Sequence, residues 1–174
     1  MDFRTDLLNK FGDASLQVPE LSFVISNEAE FYKIMEKIAY KPKVVLETGT
    51  ASGCSALLLA QYAYEIVTFD VKEVQMKYDI WLHYGVKDRV TAHVIKDTSE
   101  IPALMTKEFD FAFIDGDHSY EGCSKDIDIA EKCGRILFHD VYHEPIQKAY
   151  KELMARKGGN WIQVGGTFGY WSNK

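Results

Sequence analysis

From residue 43 onward the chain alternates short apolar runs with segments of helical periodicity, and this alternation limits the fold more than any other feature. The runs are KVVLE (43–47), IVTFD (66–70), RVTAHVI (89–95), FDFAFID (109–115) and RILFHD (135–140). They have the length of strands rather than helices. Helical segments are expected near 53–63, 72–84, 99–106 and 119–132, and a last one near 145–157 precedes WIQVG and TFGYWS. Apolar strands separated by helices bury both faces of a parallel sheet. The expected fold class is therefore α/β, a doubly wound, mostly parallel sheet of seven strands. Only Gly165 and Gly166 separate the last two runs. That spacing suits a hairpin, so one strand at that edge is expected to be antiparallel.

A chain of 174 residues forms one domain with a sizeable core. We expect a single unit over 1–174, with a helical lead-in at 1–40 and the α/β fold at 41–174. In the lead-in, residues 1–26 show weak periodicity. NEAEFYKIMEKIAY then places Asn27 three residues before Glu30, a capping-box spacing, with Phe31, Ile34, Met35 and Ile38 on one apolar face and Pro42 beyond its end. The net charge is -6 and no basic stripe is present, which argues against a nucleic-acid partner. No apolar run approaches the roughly 20 residues of a bilayer span. The start, MDFRTDLLNKFGD, lacks the signal-peptide pattern. Cys54, Cys123 and Cys133 are odd in number and lack zinc-site spacing, so reduced thiols in a cytoplasmic protein are expected. Cys133 reads as a core residue, whereas Cys54 falls in a loop of interest.

In open sheets of this kind, ligands bind outside the carboxyl ends of the strands. Glu47, Asp70, Asp115 and Asp140 each end a run, and Asp97 lies two residues past another. Five carboxylates would then line one sheet edge. The first strand-to-helix loop, LETGTASGCSALLLA, carries Gly49 and Gly53, which permit a tight turn and close approach to a ligand. Ser52 and Ser55 could cap the next helix or contact that ligand. The loop is neither a Walker loop nor a G-x-G-x-x-G fingerprint, and a plain tight turn would need the same glycines. Asp70 at the second strand end can accept hydrogen bonds from both hydroxyls of a ribose. Glu47 would repel a pyrophosphate and suits a ligand with an ammonium group.

The set E-T-G-T-A-S-G-C-S, Asp70, Asp97 and IDGDHSYEG resembles class I S-adenosylmethionine-dependent methyltransferases, across roughly 40–173. E-x-G-x-x-x-G-x-S is similar to the catechol O-methyltransferase group. FIDGDHSYEG with ILFHDV is closer to bacterial enzymes that methylate sugar hydroxyls. The resemblance implies a Rossmann-like methyltransferase fold with S-adenosylmethionine as cofactor. Glu47, Gly49 and Ser55 would then lie toward its methionine end, with Thr50, Ser52 and Gly53 also binding the cofactor. Asp70 would hold the ribose, with Val71 also binding the cofactor, Asp97 and Thr98 would lie beside the adenine, and Asp115 beside the sulfonium.

By the same resemblance, Asp115 would ligate a divalent metal, with His139 and Asp140 from the next strand end. Carboxylates suit Mg²⁺ or Ca²⁺, whereas imidazole points to zinc, iron or nickel; Mg²⁺ or Mn²⁺ is the expected ion. Catechol-type relatives place an asparagine where this chain has Val141, so His139, His143 or water would complete the set. His118 matches the general base of the sugar-modifying relatives, making His118 and Asp115 the catalytic candidates. A free imidazole has a pKa of about 6.5, far below that of a sugar hydroxyl. Either a metal lowers the hydroxyl's pKa or proton loss accompanies methyl transfer. Plainer roles exist: Asp117, His118 and Ser119 could cap the helix near Tyr120, and His139 could simply pack. His83 and His93 read as surface or structural residues, and Trp81, Tyr84, Trp161 and Tyr170 as packing groups.

The expected function is O-methyl transfer from S-adenosylmethionine to a hydroxyl of a small molecule or sugar, assisted by a metal. A metal-dependent hydrolase would use the same acids and histidines but leave Asp70 and the glycine loop without a role. A non-catalytic nucleoside-binding module on this fold would bind cofactor without turnover. With only a modest lead-in and no inserted lid, the acceptor site would be open or completed by a second subunit of a homo-oligomer.

Overall fold

The computed structural model of the chain describes residues 5–7, 9–11 and 27–173. Residues 5–7 and 9–11 are helical; most of the weakly periodic 1–26 lies outside the described residues. From residue 27 the elements are α1 (Glu28–Ile38), β1 (Val44–Thr48), α2 (Cys54–Leu59), β2 (Glu65–Asp70), α3 (Met76–His83), β3 (Val90–Val94) and α4 (Ile101–Leu104). There follow β4 (Phe111–Ile114), α5 (Tyr120–Ala130), β5 (Arg135–Phe138), α6 (Glu144–Lys157), β6 (Asn160–Val164) and β7 (Phe168–Ser172).

The seven strands form one sheet in the order β3-β2-β1-β4-β5-β7-β6. The first five pair in parallel, and β7 runs antiparallel to both β5 and β6. The expected hairpin is present, but its reversed strand is second from the edge, because β7 inserts between β5 and β6. Side chains alternate across the sheet and build two cores. Val45, Ile66, Phe111, Phe113 and Leu137 face one cluster with α1, α2 and α3. Leu46, Val67, Ala112, Ile114, Ile136 and Phe138 face the other, with α5 and α6. This period of two, buried on both sides, explains why the sequence runs read as continuously apolar.

Several elements are shorter than the sequence pattern suggests. The segment after the glycine loop is helical only at Cys54–Leu59. Beyond it the chain turns back to enter β2, and Arg89 holds that turn by donating to the carbonyls of Ala60 (2.9 Å) and Ala63 (3.3 Å). Asp110 leaves the β4 ladder because its carboxylate accepts from the Lys43 and Val44 amides and from the Tyr40 hydroxyl. The capping box at Asn27 does not form: the Asn27 side chain makes no cap bond, while Phe31, Ile34 and Met35 are buried as expected. Cys54, Cys123 and Cys133 are buried and, among the described residues, form no disulfide. Among the described residues, no helix is long and apolar enough to cross a membrane.

The strand order reverses between β1 and β4. Such a switch point opens a crevice at the carboxyl ends of the strands. A cavity of about 1050 Å³ lies there, lined from the ends of β1, β2, β4 and β5.

Candidate active site

The glycine loop crosses this cavity immediately after β1. Gly49 has φ +90°, and a Cβ there would sit 2.0 Å from the Asp115 carbonyl oxygen. The glycine is therefore needed for the loop to pass over the end of β4. Gly53 has φ +79° and packs on Trp81. The Trp81 indole N–H donates to the Gly53 carbonyl at 2.8 Å, so Trp81 is an anchor for the loop as well as core. Neither Ser52 nor Ser55 caps α2, whose cap position is Gly53 with no side-chain bond. Gly49, Thr50, Ser52 and Ser55 line the cavity, whereas Gly53 does not.

Glu47 pairs with Thr68 across β1 and β2 and points, like Val45, toward α2. It is fully buried, and neither carboxylate oxygen has a hydrogen-bond partner. Burial pushes its pKa up to about 8, against the opposing pull of the nearby Ser55 and Thr68 hydroxyls. The folded state thus holds a proton on Glu47 where the unfolded chain, at about 4.5, releases it. This contribution to stability is therefore present at low pH and is lost as pH rises through about 8. Glu47→Gln is expected to remove that loss. Thermal unfolding at about pH 5 and about pH 9 tests it, and an equal pH response in both proteins would refute it.

Asp70 ends β2 at the cavity rim. Its Oδ2 accepts from the Ala51 amide at 2.7 Å and its Oδ1 from the Lys72 amide at 2.9 Å. These bonds fix the carboxylate beside the loop, and Val71 follows as an exposed residue of the same wall. Asp97 behaves otherwise. It does not line the cavity; its side chain accepts from the Ser99 amide and pairs with Lys125 at 3.1 Å. Thr98 does face the cavity, and its hydroxyl donates to Asp126 at 2.9 Å. Asp126 was not a candidate from sequence. A signal was nevertheless present: it sits three residues after Cys123 and four before Ala130, on the apolar face of α5.

Beyond β4 and β5 the acids and histidines converge. Asp115, His139 and Asp140 each offer a ligand atom within 4.8 Å of the others. His139 is 2% exposed, and its Nδ1 lies 3.0 Å from Asp115 Oδ1 and 3.2 Å from Asp140 Oδ2. Burial alone would lower the pKa of this imidazole, but bonds to Asp115 and Asp140 outweigh burial and lift it to about 9. His118 reaches the same carboxylates from the other side, with Nε2 at 3.4 Å from Asp115 and 3.5 Å from Asp140. Its pKa is raised, chiefly by Asp115. Asp140 has φ +53°, a left-handed conformation that Asp tolerates better than most residues. That kink takes the chain off β5 and turns the carboxylate inward, with Oδ1 buried and lacking a hydrogen-bond partner.

His143 stays outside the buried cluster and stacks on His118 with centroids 5.8 Å apart. Ser119 caps α5 through a bond from the Gly122 amide. Asp117 braces that same turn by accepting from the Ser119 amide at 2.8 Å, and it packs on Gly122. The remaining rings are packing groups, as read from sequence. Trp161 stacks on Tyr150, Tyr84 bonds Asp6, and His93 stacks on Phe69.

A family model described as a methyltransferase domain matches residues 46–141, more than half of the chain. No curated protein sequence matches it. Among solved structures, the O-methyltransferase from Bacillus cereus in complex with SAH is similar over 96% of this chain and 87% of that one, at TM-score 0.73 and 20% identity. Cofactor-bound Rv0187 from MTB is similar over 75% of this chain and 72% of that one, at TM-score 0.65 and 24% identity. The C-terminal domain of precorrin-6Y C5,15-methyltransferase from Rhodobacter capsulatus covers 76% of this chain and 80% of its own, at TM-score 0.59 and 14% identity. These likenesses are of fold, and proteins of differing specificity share it. The family match spans β1 to the turn after β5, and so contains every strand end that walls the cavity: the chain belongs to this methyltransferase-domain family.

Proposed function

We propose that the chain transfers a methyl group from S-adenosylmethionine to a hydroxyl of a small molecule or sugar, in the cavity at the β1/β4 switch point. One observation carries this reading. A single cavity has the glycine loop and Asp70 on one side and the Asp115, His118, His139 and Asp140 cluster on the other. Its volume accommodates a nucleoside cofactor with an acceptor beside it. The name of the Bacillus cereus relative, an O-methyltransferase with SAH, supports the same donor and oxygen chemistry.

In this reading Asp70 holds the ribose hydroxyls with lone pairs not used by the Ala51 and Lys72 amides. Glu47 lies behind the loop, where a ligand ammonium would draw it to its charged form. The acceptor oxygen attacks the methyl carbon, the carbon–sulfur bond breaks, and neutral S-adenosylhomocysteine leaves. The acceptor's proton must go to a base, and His118 is the exposed imidazole at the cluster. Asp115 and Asp140 orient that imidazole by facing its Nε2. Two carboxylates and an imidazole converging on one point, with a buried Asp140 oxygen lacking a partner, fit a divalent cation. Asp115, His139 and Asp140 would hold it. When bound, it would lower the pKa of the acceptor hydroxyl.

Asp70→Ala is expected to lose charge-assisted bonds of roughly 1.5–3 kcal/mol, about ten- to more than a hundredfold in affinity for S-adenosylhomocysteine. Calorimetry measures it. Absence of binding by the wild-type protein would remove the basis of the proposal. Binding without turnover over a broad panel of hydroxyl compounds would favour a nucleoside-binding module instead.

A further inference from the structure

We infer that Asp126 is a positioning residue that sets the cofactor cleft by tying three strand-end segments to one buried carboxylate. The inference rests on the proposed cofactor reading and extends it to a residue outside the strand-end set. Asp126 is 2% exposed and projects from α5 into the cavity wall. One oxygen accepts from the Thr48 hydroxyl at 2.7 Å and the other from the Thr98 hydroxyl at 2.9 Å. Thr48 ends β1 and leads into the glycine loop. Thr98 belongs to the turn after β3.

The third segment is the turn after β4. A Cβ on Gly116 would lie 2.9 Å from the Asp126 Oδ2 and 3.3 Å from the Thr48 hydroxyl. Gly116 has no left-handed φ. The tight spot is the carboxylate packed on it, so the turn carrying Asp115 and His118 takes its seat from Asp126 as well.

A carboxylate on an apolar helix face is costly unless bonded. Gly122, Cys123, Ile127 and Ala130 share that face and need no partner. What Asp126 provides and an apolar side chain cannot is two directed, charge-assisted bonds to separate loops. Each threonine has one hydroxyl proton, and both are committed to Asp126. Toward the cavity, Thr48 and Thr98 therefore present acceptor lone pairs, and the wall they form favours a ligand group that donates.

The test is calorimetric binding of S-adenosylhomocysteine to the wild type, Asp126→Ala, Asp126→Asn, Thr98→Val and the Asp126→Ala/Thr98→Val double variant, with thermal unfolding of each. Asp126→Ala should bind roughly tenfold more weakly or worse, and Thr98→Val about threefold more weakly. The double variant should lose less than the product of the two single losses, because both changes cut the same tie. Asp126→Asn, which keeps one acceptor and the shape, should recover most of the affinity. Should Asp126→Ala fail to fold, Thr98→Val still decides, and Asp126→Asn decides with it: a loss in folded Asp126→Asn as large as about tenfold would show that shape and one acceptor do not position the cleft, and would overturn the inference. Wild-type affinity in folded Asp126→Ala or in Thr98→Val, or losses that simply multiply in the double variant, would overturn the inference. If the wild type itself fails to bind, the cofactor reading falls and takes this inference with it.

Discussion

His118→Ala is expected to slow methyl transfer by roughly 10²–10⁴-fold at saturating donor, the range for a lost general base, with donor affinity nearly unchanged. The prediction follows from where the ring stands. His118 is the exposed imidazole of the cluster, with about half of its side chain open to the cavity mouth, and it lies across the carboxylates from the buried His139. Its polar and ring partners are Asp115, Asp140 and His143, none of them in the glycine loop, so its loss is expected to leave the donor's contacts in place. The raised pKa sets a pH dependence. Asp115 favours the charged ring, so activity should climb as pH rises and His118 gives up its proton. Single-turnover methyl transfer with each variant measures the rate. Asp117→Asn should cost much less, because Asp117 braces the α5 turn rather than His118. Wild-type transfer by His118→Ala would make the histidine a structural residue.

Removing divalent ions should abolish turnover, and Mg²⁺ or Mn²⁺ should restore it. Asp115 and Asp140 are largely buried near one another, and two such carboxylates without a cation repel. Without an ion, His139 relieves that repulsion as an imidazolium, which its pKa of about 9 permits at neutral pH. Ion binding through His139 would have to displace that proton, so metal affinity should climb as pH rises toward about 9. An ion that binds only the folded state also raises the unfolding temperature by mass action. Mg²⁺ or Mn²⁺ should therefore shift the melting of the wild type and not of Asp140→Ala. Full activity in protein shown to be metal-free would sink metal assistance and leave methyl transfer standing.

The strands were legible because their chemistry is local. Runs such as FAFI must be buried on both faces, and only a covered sheet offers that. Asp70, Asp115 and Asp140 were legible for the same reason, since they mark where their runs leave the sheet, whereas Glu47 stays buried inside β1. Element ends were less so. Asp110 reads as part of a strand, yet it is drawn off by amides of Lys43 and Val44, far away in sequence. Asn27 has the right spacing for a capping box, but spacing does not fix which way a side chain turns.

By itself, the sequence determined the α/β alternation, the glycine loop, and the presence of Asp70, Asp115, His118 and Asp140 at one edge of the sheet. Each of these depends on residues within a few positions of one another. Only the tertiary structure decided the rest. It turned Asp97 outward to Lys125, placed Asp126 between Thr48 and Thr98, and made Gly49 obligatory beneath the Asp115 carbonyl. It also brought His139 between two carboxylates. These are contacts between segments that meet only after the sheet has ordered itself as β3-β2-β1-β4-β5-β7-β6, and no local periodicity encodes which loop will lie against which.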